Sequence, residues 1–429
     1  MRLGGRLSGA IDVLADIEQR KRPVADALRD WGLAHRFAGS GDRSAIGNIV
    51  YDALRKKLSH AFLMDDDSPA ALAHAVLLRQ WNMSHEDLAD ALDGDKFAPE
   101  PLSPQAVLAF ESRDLAAAPV HVQGDIPEWL VPFFSESFGE LWIAEAAALA
   151  ERPSLDLRTN TLKANREKVL KALDRSGAVA AGIAREGIRI APGDGPSRLP
   201  NVTAELAFQK GWFEVQDEGS QIVAELVRPR EGEQVLDYCA GGGGKTLALA
   251  AAMNNKGQVH AYDTDRKRLA PIIERLKRAG TRNVQVHDDP RALQALESRC
   301  DTVLVDAPCT GTGTWRRRPD TKWRLTEKNL EERLVQQRDA LAQAARFVKP
   351  GGRLVYITCS ILPQENEQQV AAFCEETPEF SIAPAMESWE TLFGTGALRP
   401  HSSDGRTLTL TPATTSTDGF FFCAMSKNA

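Results

Sequence analysis

The sequence predicts an α/β protein: a doubly wound, mostly parallel sheet fills the C-terminal half, preceded by a small α+β unit and an all-helical N-terminal segment. Three observations carry this. From Gln221 onward, short apolar runs ending in acids or small residues alternate with helical patterns, as in βαβ architectures. A glycine cluster, Gly241 to Gly244, follows the first of these runs. Residues 1 to about 110 place apolar side chains three and four apart, the period of helices packed on a core.

A chain of 429 residues is long enough for two or three domains, since single cores stop growing at about 250 to 300 residues. No apolar run approaches the roughly 18 residues of a membrane span. Arg2, Arg6, Asp12 and Asp16 interrupt the start, where a secretory leader is apolar, so the expected address is the cytoplasm and no membrane partner is expected. Cys239, Cys300, Cys309, Cys359, Cys374 and Cys423 form no C-x-x-C pair and lack histidines at zinc spacing. Free thiols are therefore expected, with neither a metal site nor a disulfide framework. The net charge of −7 argues against coating nucleic acid by bulk attraction, which leaves local basic runs as the only route to such a partner.

Taken in order, residues 1–125 are expected to form a helical domain with a linker. I-D-V-L-A-D-I-E, A-D-A-L-R-D-W-G-L, the stretch from Arg43 to Phe62 and A-A-L-A-H-A-V-L-L supply the helices. Asp65, Asp66 and Asp67 followed by Ser68 and Pro69 mark a turn, and Pro99 to Pro127, rich in Pro, Ala and Ser, is expected to be the linker. Residues 126–220 predict a small α+β unit with strands at L-D-L-R-T-N-T-L-K and A-F-Q-K-G-W-F-E-V-Q-D and a helix from Arg166 to Ser176. Arg158, Asn160, Lys163 and Lys210 offer this unit a nucleic-acid face, although scattered basic residues on strands more often serve only solvation. Residues 221–429 predict strands at Gln234–Asp237, Gln258–Asp263, Val284–Asp288, Thr302–Asp306 and Arg353–Thr358, with a sixth at G-F-F-F-C-A-M.

Chemistry concentrates at the ends of these strands, where open α/β sheets bind ligands. After the first comes the turn Cys239, Ala240, Gly241, Gly242, Gly243, Gly244, Lys245, whose glycines admit a ligand close to the backbone and whose helix begins near the same point. Asp263 ends the second strand, where a carboxylate accepts ribose hydroxyls, and Asp288, or its neighbour Asp289, ends the third, within reach of an adenine amino group. A Walker A motif fails on spacing, because Cys239 stands where glycine is needed. An adenosine-containing cofactor remains, either a nicotinamide dinucleotide or S-adenosylmethionine. The fourth strand runs into D-A-P-C-T-G-T-G and the fifth into T-C-S, so Asp306, Cys309 and Cys359 are expected to share one pocket if the strands are neighbours. Both cysteines stand at strand exits among small or polar residues, which suits reactive thiols.

The strings C-A-G-G-G-G-K-T, D-A-P-C-T-G-T-G, R-R-R-P-D-T-K-W, Y-I-T-C-S with P-Q-E-N-E, and the terminal D-G-F-F-F resemble the Sun family of RNA cytosine-5 methyltransferases, in particular its bacterial RsmB-like group. G-D-R-S-A-I-G-N-I-V-Y-D-A-L-R resembles the NusB-like N-terminal domain of that group. One departure is visible: the family commonly carries A-P-G-G-K in the cofactor turn, where this chain has Gly241 and Gly242 before Gly243-Gly244-Lys245. The resemblance implies a Rossmann-like, S-adenosylmethionine-dependent domain that methylates cytosine in RNA, with 16S ribosomal RNA as substrate. Transfer RNA, or assembly of the ribosome without turnover, are the alternatives.

The resemblance makes Cys359 the thiol that adds to carbon 6, Cys309 the residue that assists release, and Asp306 the acid at the pyrimidine edge and part of the cofactor site. Arg316, Arg317, Arg318, Lys322 and Arg324, interleaved with Trp315 and Trp323, are expected to hold RNA phosphates. A monomer is expected.

Overall fold

The computed structural model describes residues 1–429. The chain forms two compact units: Met1–Pro153 with Pro192–Leu199 and Trp315–Leu325, and Ser154–Ala191 with Pro200–Thr314 and Thr326–Ala429.

The first unit is helical, as its sequence period requires. Helices Leu3–Arg20, Val24–Ala34, Ser40–Arg55, Lys57–Met64 and Pro69–Ala75 turn Leu7, Ala10, Val13, Ile46, Ile49, Ala53 and Leu72 onto one core. The expected turn at Ser68-Pro69 is a helix start. Ser68 Oγ accepts the Ala71 N–H at 3.2 Å, and Pro69, which has no N–H to leave unsatisfied, occupies the first helical turn. The segment expected to be a linker is more ordered than its composition suggests. Ser103 caps a helix at Pro104–Ser112, and Asp125, 4% exposed, accepts the N–H groups of Leu58 and Ser59 at 2.9 and 3.0 Å, satisfying the start of Lys57–Met64. Local composition missed this, because a capping carboxylate here acts on a helix far upstream.

The basic run after the P-C turn is a correction. Trp315 and Lys322 are each 1% exposed and Arg316 is 6% exposed, so most of this run is an arm packed into the helical unit. Trp315 stacks on Phe134, Lys322 Nζ donates to Arg55 O at 3.0 Å, and Trp323 Nε1 donates to Leu54 O at 2.6 Å. Arg324 pairs with Asp320, and Arg318 alone of the five cations is exposed. Burial outweighs charge here: tryptophans in the run recruit a core, and the cations between them find carbonyl and carboxylate partners.

Burial pushes the Lys322 ammonium down to about 8. Since this lies below the free-lysine value, the unfolded chain binds the proton more tightly, and folding gains stability as pH rises between the two. In chemical denaturation of wild type and Lys322→Met, the stability of wild type relative to the variant is expected to rise by about 2 to 3 kcal/mol from pH 8 to 10.5. A pH-independent difference would contradict the lowering of the Lys322 ammonium by burial.

The second unit holds two sheets. In the smaller one, β1 (Leu155–Thr159), β2 (Val179–Ala180), β3 (Gly187–Ile190) and β4 (Phe213–Val215) lie antiparallel in the order β2-β3-β1-β4. The proposed nucleic-acid face of this part is corrected for Arg158 and Asn160, whereas Lys163 and Lys210 are exposed. Arg158, 8% exposed, donates to Gln216 Oε1 and Gly244 O; Asn160, 4% exposed, donates to Gly211 O and Ala279 O; and Lys163 Nζ donates to Arg278 O at 2.6 Å. These side chains tie the small sheet to the carbonyl groups of the larger α/β layer, so their polar atoms are already spent on the fold.

The larger sheet contains β5 (Gln234–Asp237), β6 (Gln258–Tyr262), β7 (Val284–His287), β8 (Cys300–Asp306), β9 (Val348–Thr358), β10 (Phe380–Ile382), β11 (Leu408–Leu410) and β12 (Phe420–Lys427). Its order is β10-β12-β9-β8-β5-β6-β7, with β11 paired to β12. β5 to β9 run parallel and β12 returns antiparallel against β9, which makes the sheet mixed at one edge. In the smaller sheet the candidate A-F-Q-K-G-W-F-E-V-Q-D begins as helix Leu206–Gln209 and only Phe213–Val215 is strand, whereas the six strands predicted for the larger layer form. Their near-continuous apolar runs are what a sheet covered by helices on both faces demands. The order reverses between β5 and β8, the switch point at which such sheets bind ligands.

Candidate active site

β8 and β9 are parallel neighbours in register Asp306↔Ile357, so their exits deliver two turns side by side. Ala307 N–H makes a last ladder bond to Ile357 O at 2.8 Å; Pro308 then has no N–H to continue the ladder, and the chain turns with Cys309 at its tip. Cys359 follows directly on β9, and the two sulfur atoms lie 3.4 Å apart. Both residues are partly exposed, and all six cysteines are free thiols.

The Cys309 thiol is pushed well above its ordinary range, first by its hydrogen bond with Cys359 and then by burial, with Glu365 adding to the effect. Cys309 is therefore a neutral S–H beside the sulfur of Cys359. Buried Cys300 and Cys423 are small core residues, with thiols pushed up by desolvation.

The two turns are cross-linked. Gly313 N–H donates to Cys359 O at 3.0 Å, Thr312 Oγ1 meets Ser360 Oγ at 3.0 Å, and Ile361 N–H donates to Thr312 Oγ1. A Cβ on Gly313 would lie 2.3 Å from Gly419 O, while Gly419 N–H bonds Gly313 O at 2.8 Å. The D-G-F-F-F segment thus needs its glycine because two backbones touch there.

Asp306 ends β8 and receives Lys245 Nζ at 2.7 Å. Lys245 therefore contributes its ammonium to Asp306 and its backbone to the start of helix Gly244–Ala252. The glycine turn lies after β5. Gly241 has φ +50°, and Gly243, at φ +81°, packs so closely that a Cβ would lie 2.4 Å from Ile272 Cγ1. Ala240 N–H donates to Tyr262 O, and Gly241 N–H donates to Asp263 Oδ2 at 2.9 Å. Asp263, 3% exposed, also accepts Asp265 N–H at 2.8 Å, so its carboxylate is oriented by backbone donors and keeps lone pairs to spare.

Burial pushes the Cys239 thiol well up, with Asp263 and Asp237 adding to the shift; it lines the turn as an uncharged group. Asp237, at the end of β5, accepts Thr246 Oγ1 at 2.6 Å, has its other oxygen buried without a partner, and is pushed by burial up to about 7.

After β7 the two acids diverge. The Asp288 side chain is 66% exposed and faces Arg266 at 3.7 Å. Asp289 caps the following turn through Arg291 N–H and, together with Asp263 and Cys239, raises the Tyr262 hydroxyl, whose largest perturbation is burial.

Sequence reasoning overlooked several neighbours. A Cβ on Gly241 would lie 3.4 Å from the Arg268 guanidinium, and Arg275 Nη1 donates to Gly242 O. Glu365, fully buried, accepts Thr310 N–H at 2.8 Å and Gln337 Nε2 at 2.9 Å. The only signal for Glu365 lay in the string P-Q-E-N-E, which marks no chemistry by itself. No cluster of three or more His, Cys, Asp or Glu side chains is arranged to hold a metal ion.

Residues 224–426 match the family described as 16S rRNA methyltransferase RsmB/F, and residues 126–193 match the ferredoxin-like domain of RsmF/B-like methyltransferases. A ribosomal RNA small subunit methyltransferase B from Cronobacter sakazakii is 34% identical over 305 residues, covering 70% of this chain and 66% of that protein. The protein of the same name from Yersinia pseudotuberculosis is also 34% identical over 305 residues, with the same coverage. The chain thus spans just under two thirds of the length of these relatives. Among solved structures, PH0851 aligns over 100% of both chains with 26% identity and a TM-score of 0.74. A methyltransferase homologue from Pyrococcus horikoshii aligns over 73% of this chain and 100% of its own, with 26% identity and a TM-score of 0.60.

Proposed function

Because the chain belongs to the RsmB/F family of methyltransferases, we propose that it transfers a methyl group from S-adenosylmethionine to carbon 5 of a cytosine in 16S ribosomal RNA. The observation that carries this reading is the pair of thiols 3.4 Å apart on adjacent strand exits, beside Asp306 and the glycine turn.

S-adenosylmethionine is the cofactor, and when bound it supplies an electrophilic methyl group. The residues present fit it. Gly241, at φ +50° beside only the Arg268 and Asp263 side chains, leaves the turn open to a close ligand, and the buried, backbone-oriented carboxylate of Asp263 suits a ribose diol. Asp288 or Asp289, at the end of β7, would reach the adenine amino group; Asp288 is the more exposed of the two and Asp289 is engaged with Arg291. Asp263→Ala is expected to weaken S-adenosylmethionine binding by about 1 to 3 kcal/mol in calorimetry, the usual result of deleting a charged acceptor; unchanged affinity would dismiss the ribose contact.

Carbon 5 of cytosine is too weak a nucleophile to take a methyl group unaided. Cys359 adds as thiolate to carbon 6, forming a C–S bond and moving the ring electrons to carbon 5, which would take the methyl group the bound cofactor supplies, with S-adenosylhomocysteine leaving. Asp306, held by Lys245, steadies the N3 and amine edge where charge develops. Water takes the carbon 5 proton, a release that Cys309 assists, the C5–C6 double bond re-forms, and the Cys359 thiolate is expelled. Cys309, a neutral S–H donor at 3.4 Å, receives the charge returning to the Cys359 sulfur.

The target base has to be unstacked for a sulfur to reach carbon 6. The setting is the cytoplasm, where six free thiols stay reduced, and no helix is long and apolar enough to cross a membrane.

The test is transfer of labelled methyl from S-adenosylmethionine to unmodified 16S ribosomal RNA and to transfer RNA, with mapping of the labelled base. Label at cytosine carbon 5 in 16S RNA is expected. Label confined to transfer RNA would reassign the substrate, and binding without label would favour an assembly factor.

A further inference from the structure

Two consecutive residues, Glu365 and Asn366, reach the two cysteine turns from one short connection after β9. Glu365 is fully buried and Asn366 is 1% exposed. The Glu365 carboxylate accepts the N–H of Thr310 at 2.8 Å and also its hydroxyl. Gln337 Nε2 donates both to this carboxylate and to Pro308 O, each at 2.9 Å. The residues on either side of Cys309 are thereby tied to one carboxylate.

Asn366 does the same on the other strand. Its Oδ1 accepts Thr358 Oγ1 at 2.6 Å, and its Nδ2 donates to Ser360 O at 3.0 Å, so the residues on either side of Cys359 are tied to one amide. Tyr356 donates its hydroxyl to Glu365 O at 2.7 Å, anchoring the device to β9 itself. A buried carboxylate and a buried amide saturated in this way specify one geometry, because any displacement leaves desolvated polar atoms unpaired.

We propose that Glu365 and Asn366 are paired positioning residues that set the separation of the Cys309 and Cys359 sulfur atoms. Neither touches the base or the cofactor; each acts through the turn that carries a thiol. This deepens the proposed chemistry of the same site and rests on it for its catalytic consequence, but the geometric claim is testable without turnover.

The probe is phenylarsine oxide, which condenses with two neighbouring thiols: two S–H groups and the As=O unit give two As–S bonds and one water. Wild type is expected to take up one equivalent at this site, protecting Cys309 and Cys359 together from iodoacetamide in peptide mass spectrometry. Glu365→Ala and Asn366→Ala are each expected to lose that bridging by about tenfold or more, and to lower kcat by about 10- to 100-fold, as a misplacement near 1 Å does, with little change in KM for RNA. Glu365→Gln, which keeps the shape and part of the acceptor set, should fall between wild type and Glu365→Ala, and it decides the matter if the alanine variants do not fold. Adding Glu365→Ala to Cys309→Ala should cost little more than Cys309→Ala alone, because the two changes act on one function.

Folded variants that bridge the arsenical as wild type does would overturn the proposal whatever their activity. Loss of bridging in the variants, alongside a wild type that transfers no methyl group, would leave the positioning role standing and remove the methyltransferase reading instead.

Discussion

Replacing Cys359 with alanine is expected to abolish methyl transfer while leaving affinity for S-adenosylmethionine near normal. Cys359 is held by its backbone, through Gly313 N–H to Cys359 O, and by its neighbours Thr358 and Ser360, so the substitution removes a sulfur atom and little else. Without that sulfur no C–S bond forms, and carbon 5 never acquires the electron density to attack a methyl group. Loss of a covalent nucleophile typically lowers kcat by several powers of ten, so a rate reduced on the order of 10⁴-fold or more is expected, measured as labelled methyl incorporated per enzyme. Turnover within about tenfold of wild type would refute covalent catalysis by this residue. Cofactor binding is separately readable by calorimetry, since the glycine turn and Asp263 lie on β5 and β6.

Cys309→Ala is expected to trap a protein–RNA adduct that survives denaturing electrophoresis. Its thiol is pushed up by the contact with Cys359 and by burial, so once Cys359 is a thiolate Cys309 has an S–H to offer it. Addition to carbon 6 requires only that Cys359 be a thiolate, so adduct formation persists in the variant. Collapse returns negative charge to the Cys359 sulfur in a partly buried cleft, and a missing S–H donor raises that barrier. A barrier higher by about 1.4 to 2.8 kcal/mol slows release by about 10- to 100-fold, enough for the adduct to accumulate under turnover conditions. A shifted band that disappears in the Cys309→Ala, Cys359→Ala double variant is the expected result, and its absence with active cofactor and RNA would count against Cys309 in release.

Much of the α/β layer was legible because its signals are local. Strand exits announce themselves by an acid or cysteine after an apolar run, as at V-L-V-D-A-P-C and V-Y-I-T-C-S, and a glycine run after the first strand can hardly serve another purpose. The βαβ pattern allowed β8 and β9 to be neighbours, and the structure pairs them in parallel, which brings Cys309 and Cys359 together. The same local reading misjudged the cations. R-R-R-P-D-T-K-W looked like a phosphate-binding loop, yet Trp315, Arg316 and Lys322 are buried, Trp315 on Phe134 and the other two against Arg55, more than 260 residues earlier in the chain.

By itself, then, the sequence determined which strands of the larger layer form, which side chains stand at their ends, and which chemistry those side chains suit, since all three depend on residues within a few positions of one another. Only the tertiary structure decided which polar groups remain available for that chemistry. It assigned Arg158 and Asn160 to carbonyl groups of the larger layer, separated exposed Asp288 from Asp289, and set Glu365 and Asn366 around the two thiols. The physical reason is that availability depends on desolvation and on partners supplied by distant segments, and neither is written in local order.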